Sequence, residues 1–158
     1  MSRAFVKEGD DAPPPPPLER AISSAPNLVT ERGARLIDEA VAALERDIEA
    51  AADEDEAAPL RRDLRYWLAR RATARLVPAD PDPQAAGFGA RLTIRRDGQE
   101  SEIVIVGEDE ADPDSGRIAW TSPLARALDE AEPGDSVELA AGGRTVPIEL
   151  LAVRSDSD

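Results

Sequence analysis

Asp53-Glu54-Asp55-Glu56-Ala57-Ala58-Pro59 is an acidic segment between two stretches of helical periodicity. Apolar residues before it recur in steps of four and three, which is the pattern of a coiled-coil seam: Ile37, Val41, Leu44, Ile48 and Ala51. A second apolar stripe follows it: Leu60, Leu64, Trp67, Leu68, Ala72 and Leu76. We predict an antiparallel helical hairpin over residues 27–77, with helices at 34–52 and 60–76. The acidic segment is then the turn, and Pro59 suits the first turn of the second helix.

The two predicted helices carry opposite charge. Acidic residues dominate the first: Asp38, Glu39, Glu45, Asp47 and Glu49. Arginines dominate the second: Arg61, Arg62, Arg65, Arg70, Arg71 and Arg75. We expect cross-helix ion pairs, each worth about 0.2–1 kcal/mol if exposed, and otherwise a solvated arginine face. Thr30 is the predicted N-cap of the first helix.

Composition excludes several classes of function. The chain of 158 residues has a formal net charge of −14, so we expect no nucleic-acid binding of its own. It contains neither Cys nor His, which excludes disulfides, thiolate zinc sites and His-based nucleophilic catalysis. A signal peptide and a membrane-spanning run are not evident, so we expect a cytoplasmic protein. Residues 1–26, which include five consecutive prolines, are predicted to be a disordered leader.

The period changes after a proline-rich linker at residues 78–87. Alternating residues at 91–95 and 102–106 predict two strands joined by the hairpin turn Asp97-Gly98. A short strand at 117–120 precedes a helix that Ser122 caps and Pro123 opens. Strands at 136–140 and 145–153 complete the pattern. We predict a small α+β domain over residues 88–154, a mostly antiparallel sheet with one helix, and a tail at 155–158.

Four segments of this domain carry a family resemblance: Phe88-Gly89-Ala90, the run from Ile105 to Asp112, the run from Ser122 to Leu128, and Pro133-Gly134-Asp135. Their order and spacing resemble the C-terminal domain of the GreA/GreB transcription elongation factors. The resemblance implies an FKBP-like fold that docks at the secondary channel of bacterial RNA polymerase, with the helical hairpin directed down the channel. The residues it implies for docking are Glu108, Asp109, Asp112, Ser122, Pro123 and Arg126.

The family's two tip carboxylates map onto Asp53 and Glu56. In the family they help hold a Mg²⁺ ion at the polymerase active centre, so Mg²⁺ is expected only in complex with the polymerase, and no intrinsic cofactor is expected. The tip glycine, asparagine and tyrosine of the family are not matched here. Both arms are also about three turns shorter than in a standard Gre factor, which withdraws the tip by roughly 16 Å. A solvated acidic turn is the alternative reading of these residues.

Three functions stay open from the sequence. The chain is a Gre-type factor that stimulates RNA cleavage by the polymerase, a non-cleaving competitor resembling the Rnk group, or, more remotely, a prolyl isomerase. In the first two it is no enzyme itself, and we expect a monomer whose partner is RNA polymerase. The isomerase reading is disfavoured because Trp120 is the only aromatic residue after Phe88.

Overall fold

The computed structural model describes residues 18–156, which form a helical hairpin followed by a sheet domain. The hairpin consists of α1 (Glu31–Ala50) and α2 (Glu54–Thr73), each of 20 residues. At 1.5 Å per residue each arm is about 30 Å long. Thr30 caps α1, as predicted, by accepting a hydrogen bond from the Gly33 backbone N–H at 2.9 Å.

The tip of the hairpin is shorter than the sequence predicted. The segment expected to be a turn is the first part of α2, and Pro59 lies inside that helix. Asp53 provides the reason, because its side chain caps the helix by accepting from the Glu56 backbone N–H at 2.9 Å. Three acidic residues in the first turn also interact favourably with the positive end of the helix dipole. These effects favour an early start although Pro59 removes one internal hydrogen bond.

The base of the hairpin is closed by a two-stranded parallel sheet. Strand β1 (Leu28–Val29) pairs with β2 (Arg75–Leu76). Leu76 was predicted to end the second helix, but it belongs to this strand. The backbone N–H of Val77 adds a hydrogen bond to the carbonyl of Val29 at 2.9 Å. Both ends of the hairpin are therefore tied together where the chain leaves it.

The expected cross-helix ion pairs do not form among the described residues. Arg61 pairs with Glu54 of its own helix, and Arg65 pairs with Glu19 outside the hairpin. The acidic residues of α1 from Asp38 to Glu49 lie in no recorded ion pair of residues 18–156. The hairpin is instead held by its apolar seam, in which Ile37 and Val41 are each only 1% exposed.

The second part of the chain is the predicted α+β domain. Its five strands are β3 (Ala90–Arg96), β4 (Gln99–Val106), β5 (Arg117–Ala119), β6 (Ser136–Ala141) and β7 (Arg144–Ser155). They lie in the order β5-β4-β3-β7-β6, and every neighbouring pair is antiparallel except β4 and β5. Helix α3 (Pro123–Leu128) is capped by Ser122, and Asp97 and Gly98 form the β3–β4 turn with positive φ. The predicted fold class is confirmed.

The core of this domain lies between α3 and the sheet. Its fully buried residues include Leu92, Leu128, Ile148 and Leu150, each 0% exposed. Ala86 also belongs to this core and exchanges backbone hydrogen bonds with the segment after α3. The last residues of the predicted linker are therefore part of the sheet domain.

Residues 18–26 of the predicted leader lie against the rest of the molecule. Residues 1–17, including the prolines, lie outside the described residues, but residues 18–26 contact α2 and the loop after β4. Within residues 18–156, none of the helices has the length and apolar character needed to cross a membrane.

Candidate functional site

A buried arginine joins the hairpin to the sheet domain. Arg70, on the last turn of α2, has a side chain only 2% exposed. Its Nε donates to Asp109 at 2.5 Å, its Nη2 donates to Asn27 at 2.7 Å, and Glu108 lies 3.6 Å away. Asp109 and Glu108 belong to the short 3-10 turn Glu108–Glu110 that follows β4. A buried guanidinium is tolerated only when it is paired in this way.

Asn27 completes the enclosure of this arginine. Its side-chain amide donates to the backbone carbonyl of Arg70 at 2.8 Å and to the hydroxyl of Thr73 at 3.2 Å. Its own backbone carbonyl accepts from Arg75 at 2.8 Å. Asn27 is 5% exposed, so the residue just before β1 is fixed against the end of α2.

Tyr66 adds a second contact to the same carboxylate. It lies one turn before Arg70 on α2, and its hydroxyl donates to Asp109. Burial, together with this hydrogen bond and the negative charge of Asp109, raises the pKa of Tyr66 to about 12. The phenol therefore stays protonated and acts as a donor at neutral pH.

A second buried carboxylate contacts the start of α1. The side chain of Glu110 is 1% exposed and accepts from the Thr30 hydroxyl at 2.5 Å. Arg32 and Arg117 approach it at 3.3 Å and 3.2 Å. Its position beside the first turn of α1 also places a negative charge at the positive end of that helix. A Cβ on Gly33 would lie 2.9 Å from Glu110, which explains why a glycine occupies this turn.

The two parts of the molecule also approach each other through backbone atoms. A side chain on Gly107, the residue before the 3-10 turn, would overlap the backbone carbonyl of Leu28 in β1. At this point the backbones of β1 and of the segment after β4 are in direct contact. Together, the contacts of Arg70, Glu110 and Gly107 connect the hairpin to the sheet domain, and we call this region the junction.

The predicted docking residues fall into two groups. Glu108 and Asp109 are turned towards Arg70 and belong to the junction, with side chains 23% and 10% exposed. Glu108 is also tied to the loop before α3 by the Thr121 hydroxyl at 2.9 Å. This bond links the junction to the second group of predicted docking residues.

The second group lies outside the junction. Asp112 is exposed, and its backbone bridges to Arg117. Ser122 is the N-cap of α3, and Pro123 and Arg126 are exposed on that helix. Arg126 borders a cleft of about 240 Å³ whose walls include Phe88 and Trp120. The docking role of these residues stays a prediction.

The two tip carboxylates have a local structural role. Asp53 accepts from the backbone of Glu56, and Glu56 accepts in return from the Ala52 backbone N–H at 2.9 Å. This reciprocal pattern is a variant of the capping box. Both residues are exposed, and residues 18–156 contain no group of three or more acidic side chains arranged to hold a metal ion. A Mg²⁺ role for Asp53 and Glu56 therefore stays a prediction that requires ligands from a partner.

The junction was missed by sequence reasoning. Arg70 was grouped with the other arginines of α2 as part of a solvated face, yet it is buried. The available signal was the run Glu108-Asp109-Glu110 directly after a glycine that ends a buried strand. Three carboxylates at such a position require cationic partners, and the arginine-rich helix is the nearest source.

Comparison with known proteins agrees with this architecture. The family described as Transcription elongation factor, GreA/GreB, C-term matches residues 81–155. Transcription elongation factor GreA of Sinorhizobium medicae is 46% identical over 69 residues, which cover 42% of this chain and 44% of that protein. Transcription elongation factor GreB of Neisseria meningitidis serogroup A is 40% identical over 92 residues, covering 55% and 56%.

One solved structure also aligns with this chain. The crystal structure of Thermus aquaticus Gfh1 aligns with 83% of this chain and 100% of that one, at 14% identity and a TM-score of 0.42. The present chain spans about half the length of the curated relatives it matches. The family match lies in the sheet domain and the end of the linker before it, and this part of the chain is similar to the C-terminal domain of the GreA/GreB transcription elongation factors.

Proposed function

We propose that this chain is an RNA polymerase-binding elongation factor of Gre type, which docks at the secondary channel through its sheet domain. The observation that carries the proposal is the combination of a sheet domain similar to the GreA/GreB C-terminal domain with a helical hairpin fixed to it by the buried Arg70 and Glu110. If a flexible linker joined the two parts, docking of the sheet domain would not determine the direction of the hairpin. We propose that the junction fixes this direction, because Arg70 and Glu110 hold both helices of the hairpin at their base.

The charge of the chain supports a protein partner. A formal net charge of −14 opposes binding to phosphate backbones, whereas it favours association with a basic protein surface. We propose that the chain acts as a monomer and makes no independent contact with nucleic acid.

Of the two modes of action, the geometry favours docking without cleavage. Each arm of the hairpin is about 30 Å long, which limits how far the tip can reach. Mg²⁺ accepts carboxylate ligands only at about 2.0–2.1 Å, so a tip that stops short contributes nothing to the metal. Asp53 and Glu56 are already used in capping α2. In this mode the chain competes with longer Gre factors for the channel.

Stimulation of transcript cleavage is the second candidate. It is favoured by the exposure of both carboxylates at the far end of the hairpin. A carboxylate has two oxygens, and each side chain has only one recorded in a capping bond. The remaining oxygens would be available to a Mg²⁺ ion that the polymerase holds, and the polymerase would carry out the hydrolysis.

A backtracked elongation complex, assembled with polymerase from the same organism, tests the proposal and separates the modes. The informative variant is Asp53→Asn/Glu56→Gln, because asparagine and glutamine keep the capping bonds and remove only the charges. The cleavage mode is assigned if the unmodified chain accelerates shortening of the RNA and the variant does not. The competitor mode is assigned if the protein binds the polymerase without shortening the RNA and also inhibits the cleavage that added GreA stimulates. Failure to bind the polymerase overturns the proposal.

A further inference from the structure

Residues 18–26, which we call the strap, run along α2 from its C-terminal end towards its middle. Ser23 lies at the junction, where its hydroxyl donates to Glu108 at 3.0 Å. Arg20 lies further along, with its guanidinium 3.8 Å from the centre of the Tyr66 ring. Glu19 reaches one residue further and accepts from the Nε of Arg65 at 3.2 Å and from its Nη2. The strap therefore covers three different chemical groups of the hairpin and junction.

These contacts differ from the junction in their exposure. The Glu19 and Arg65 side chains are 61% and 56% exposed, and Arg20 is 40% exposed. Arg65 hydrogen-bonds to Glu19 and lowers the pKa of that carboxyl, so the pair is charged at neutral pH. Exposed ion pairs and cation–π contacts are individually weak and are screened by salt. Asn27, the residue directly after the strap, is buried.

The strap can therefore detach while its anchor remains in place. Its larger apolar side chains are only weakly buried, since Leu18 is 89% exposed and Ile22 is 51% exposed. No apolar core holds the strap down, and its attachment depends on charge, stacking and one hydroxyl. A segment held in this way exchanges readily for a competitor that offers the same groups.

Detachment would uncover a surface with a defined chemistry, which we call the strap face: the Arg65 guanidinium, the Tyr66 ring and the Glu108 carboxylate. The strap itself shows which ligand this face accepts. A carboxylate fits Arg65, a guanidinium fits the ring, and a hydrogen-bond donor fits Glu108. Glu108 is also one of the residues predicted to dock on the polymerase.

We propose that the strap is a built-in competitor, which occupies the strap face in the free protein and is displaced when that face binds a polymerase segment carrying an acidic and a basic side chain. This inference rests on the proposed function, because the displacing partner is the polymerase. It adds a closed form of the free protein, in which docking must first release residues 18–26.

Trypsin measures detachment directly. Cleavage after Arg20 requires its side chain to enter the protease, so the rate reports the fraction of molecules whose strap is free. Ser23→Asp places a carboxylate against Glu108 and should raise this rate by up to roughly fivefold, the size of effect expected for exposed charge contacts. Ser24→Asp is the matched control, because it adds the same charge at an exposed neighbour and should leave the rate unchanged. Synthetic peptides covering the same residues correct for protease preference.

Glu19→Gln provides an independent release of the strap with the opposite change in net charge. It removes the ion pair with Arg65 and should also accelerate cleavage after Arg20. Equal rates for the unmodified chain, Ser23→Asp and Glu19→Gln, after correction by the peptides, would show that the strap is not attached and would overturn the proposal.

Polymerase binding by the full-length variants completes the test. Ser23→Asp and Glu19→Gln should both bind more tightly than the unmodified chain, by the same factor as their cleavage rates rise, and Ser24→Asp should not. Released straps with unchanged polymerase affinity would overturn the competition while leaving the proposed function intact. Loss of polymerase binding in every form, including the unmodified chain, would overturn the proposed function and the competition with it.

Discussion

Replacing Arg70 with methionine tests whether the junction holds the hairpin against the sheet domain. The substitution keeps an unbranched side chain of moderate length but removes the positive charge. Asp109 then loses its 2.5 Å partner and Asn27 its 2.7 Å partner, both in buried surroundings. Removing one member of a buried ion pair costs about 3–5 kcal/mol. This is a large part of the roughly 5–15 kcal/mol that stabilises a typical domain.

Urea unfolding followed by circular dichroism and tryptophan fluorescence measures this loss. We expect the free energy of unfolding of Arg70→Met to fall by about 3–5 kcal/mol, with a melting temperature lower by roughly 10–20 °C. Arg71→Met is the control, since the neighbouring arginine is exposed and belongs to no recorded ion pair of residues 18–156. Its effect should stay within about 0.5 kcal/mol, as for other surface substitutions.

The double variant Arg70→Met/Asp109→Asn distinguishes a broken ion pair from simple loss of packing. Removing the carboxylate together with its partner should recover part of the lost stability, because no buried charge is left uncompensated. Equal costs for Arg70→Met and Arg71→Met, or a double variant that is less stable by the sum of both single effects, would refute the assignment of Arg70 as the joint.

Three further predictions follow from the same contacts. Spectrophotometric titration of Tyr66, the only tyrosine, should give a midpoint near pH 12. The hydrogen bond from Tyr66 to Asp109 should contribute fully to stability below pH 10, and this contribution should be lost as the pH rises towards 12. A midpoint at pH 10 would contradict the contact of Tyr66 with the junction. Gly107→Ala should destabilise the fold by about 1–3 kcal/mol in thermal unfolding, whereas Gly87→Ala, whose Cβ meets nothing within 4 Å, should be near neutral. Asp53→Ala should cost about 0.5–2 kcal/mol of stability through loss of the cap while Asp53→Asn costs little, and equal losses would exclude the capping role.

The sheet domain was predictable because its signals are local. Asp97 and Gly98, which were predicted to form a hairpin turn, both have positive φ, as a two-residue type I′ turn requires. Ser122 and Pro123 likewise predict the start of α3 from local sequence alone. Such residues determine the backbone within a few positions, so alternation and turn chemistry were sufficient for the strand order along the chain.

The hairpin tip was mispredicted because two local signals conflict there. Pro59 is typical of a first helical turn, and that preference suggested a helix starting near Leu60. Asp53 followed by Glu56 is the competing signal, an acidic N-cap with its reciprocal partner three residues later. The capping pattern prevails, so the helix begins earlier and Pro59 is accommodated within it.

The junction could not be read from periodicity. An arginine on an amphipathic helix is normally solvated, and only the tertiary structure brings carboxylates of the 3-10 turn onto Arg70. The same applies to Glu110, whose partners lie on α1, β5 and the residue before α1. Burial of charge depends on neighbours that are distant in sequence, so periodicity alone could not show that Glu108 and Asp109 contact Arg70.

Binding to RNA polymerase is the measurement that tests the central claim most directly. Fluorescently labelled full-length chain should bind core polymerase of the same organism, and unlabelled GreA should displace it completely, because both are proposed to dock at the secondary channel. Absence of saturable binding, or binding that excess GreA leaves unchanged, would contradict the account.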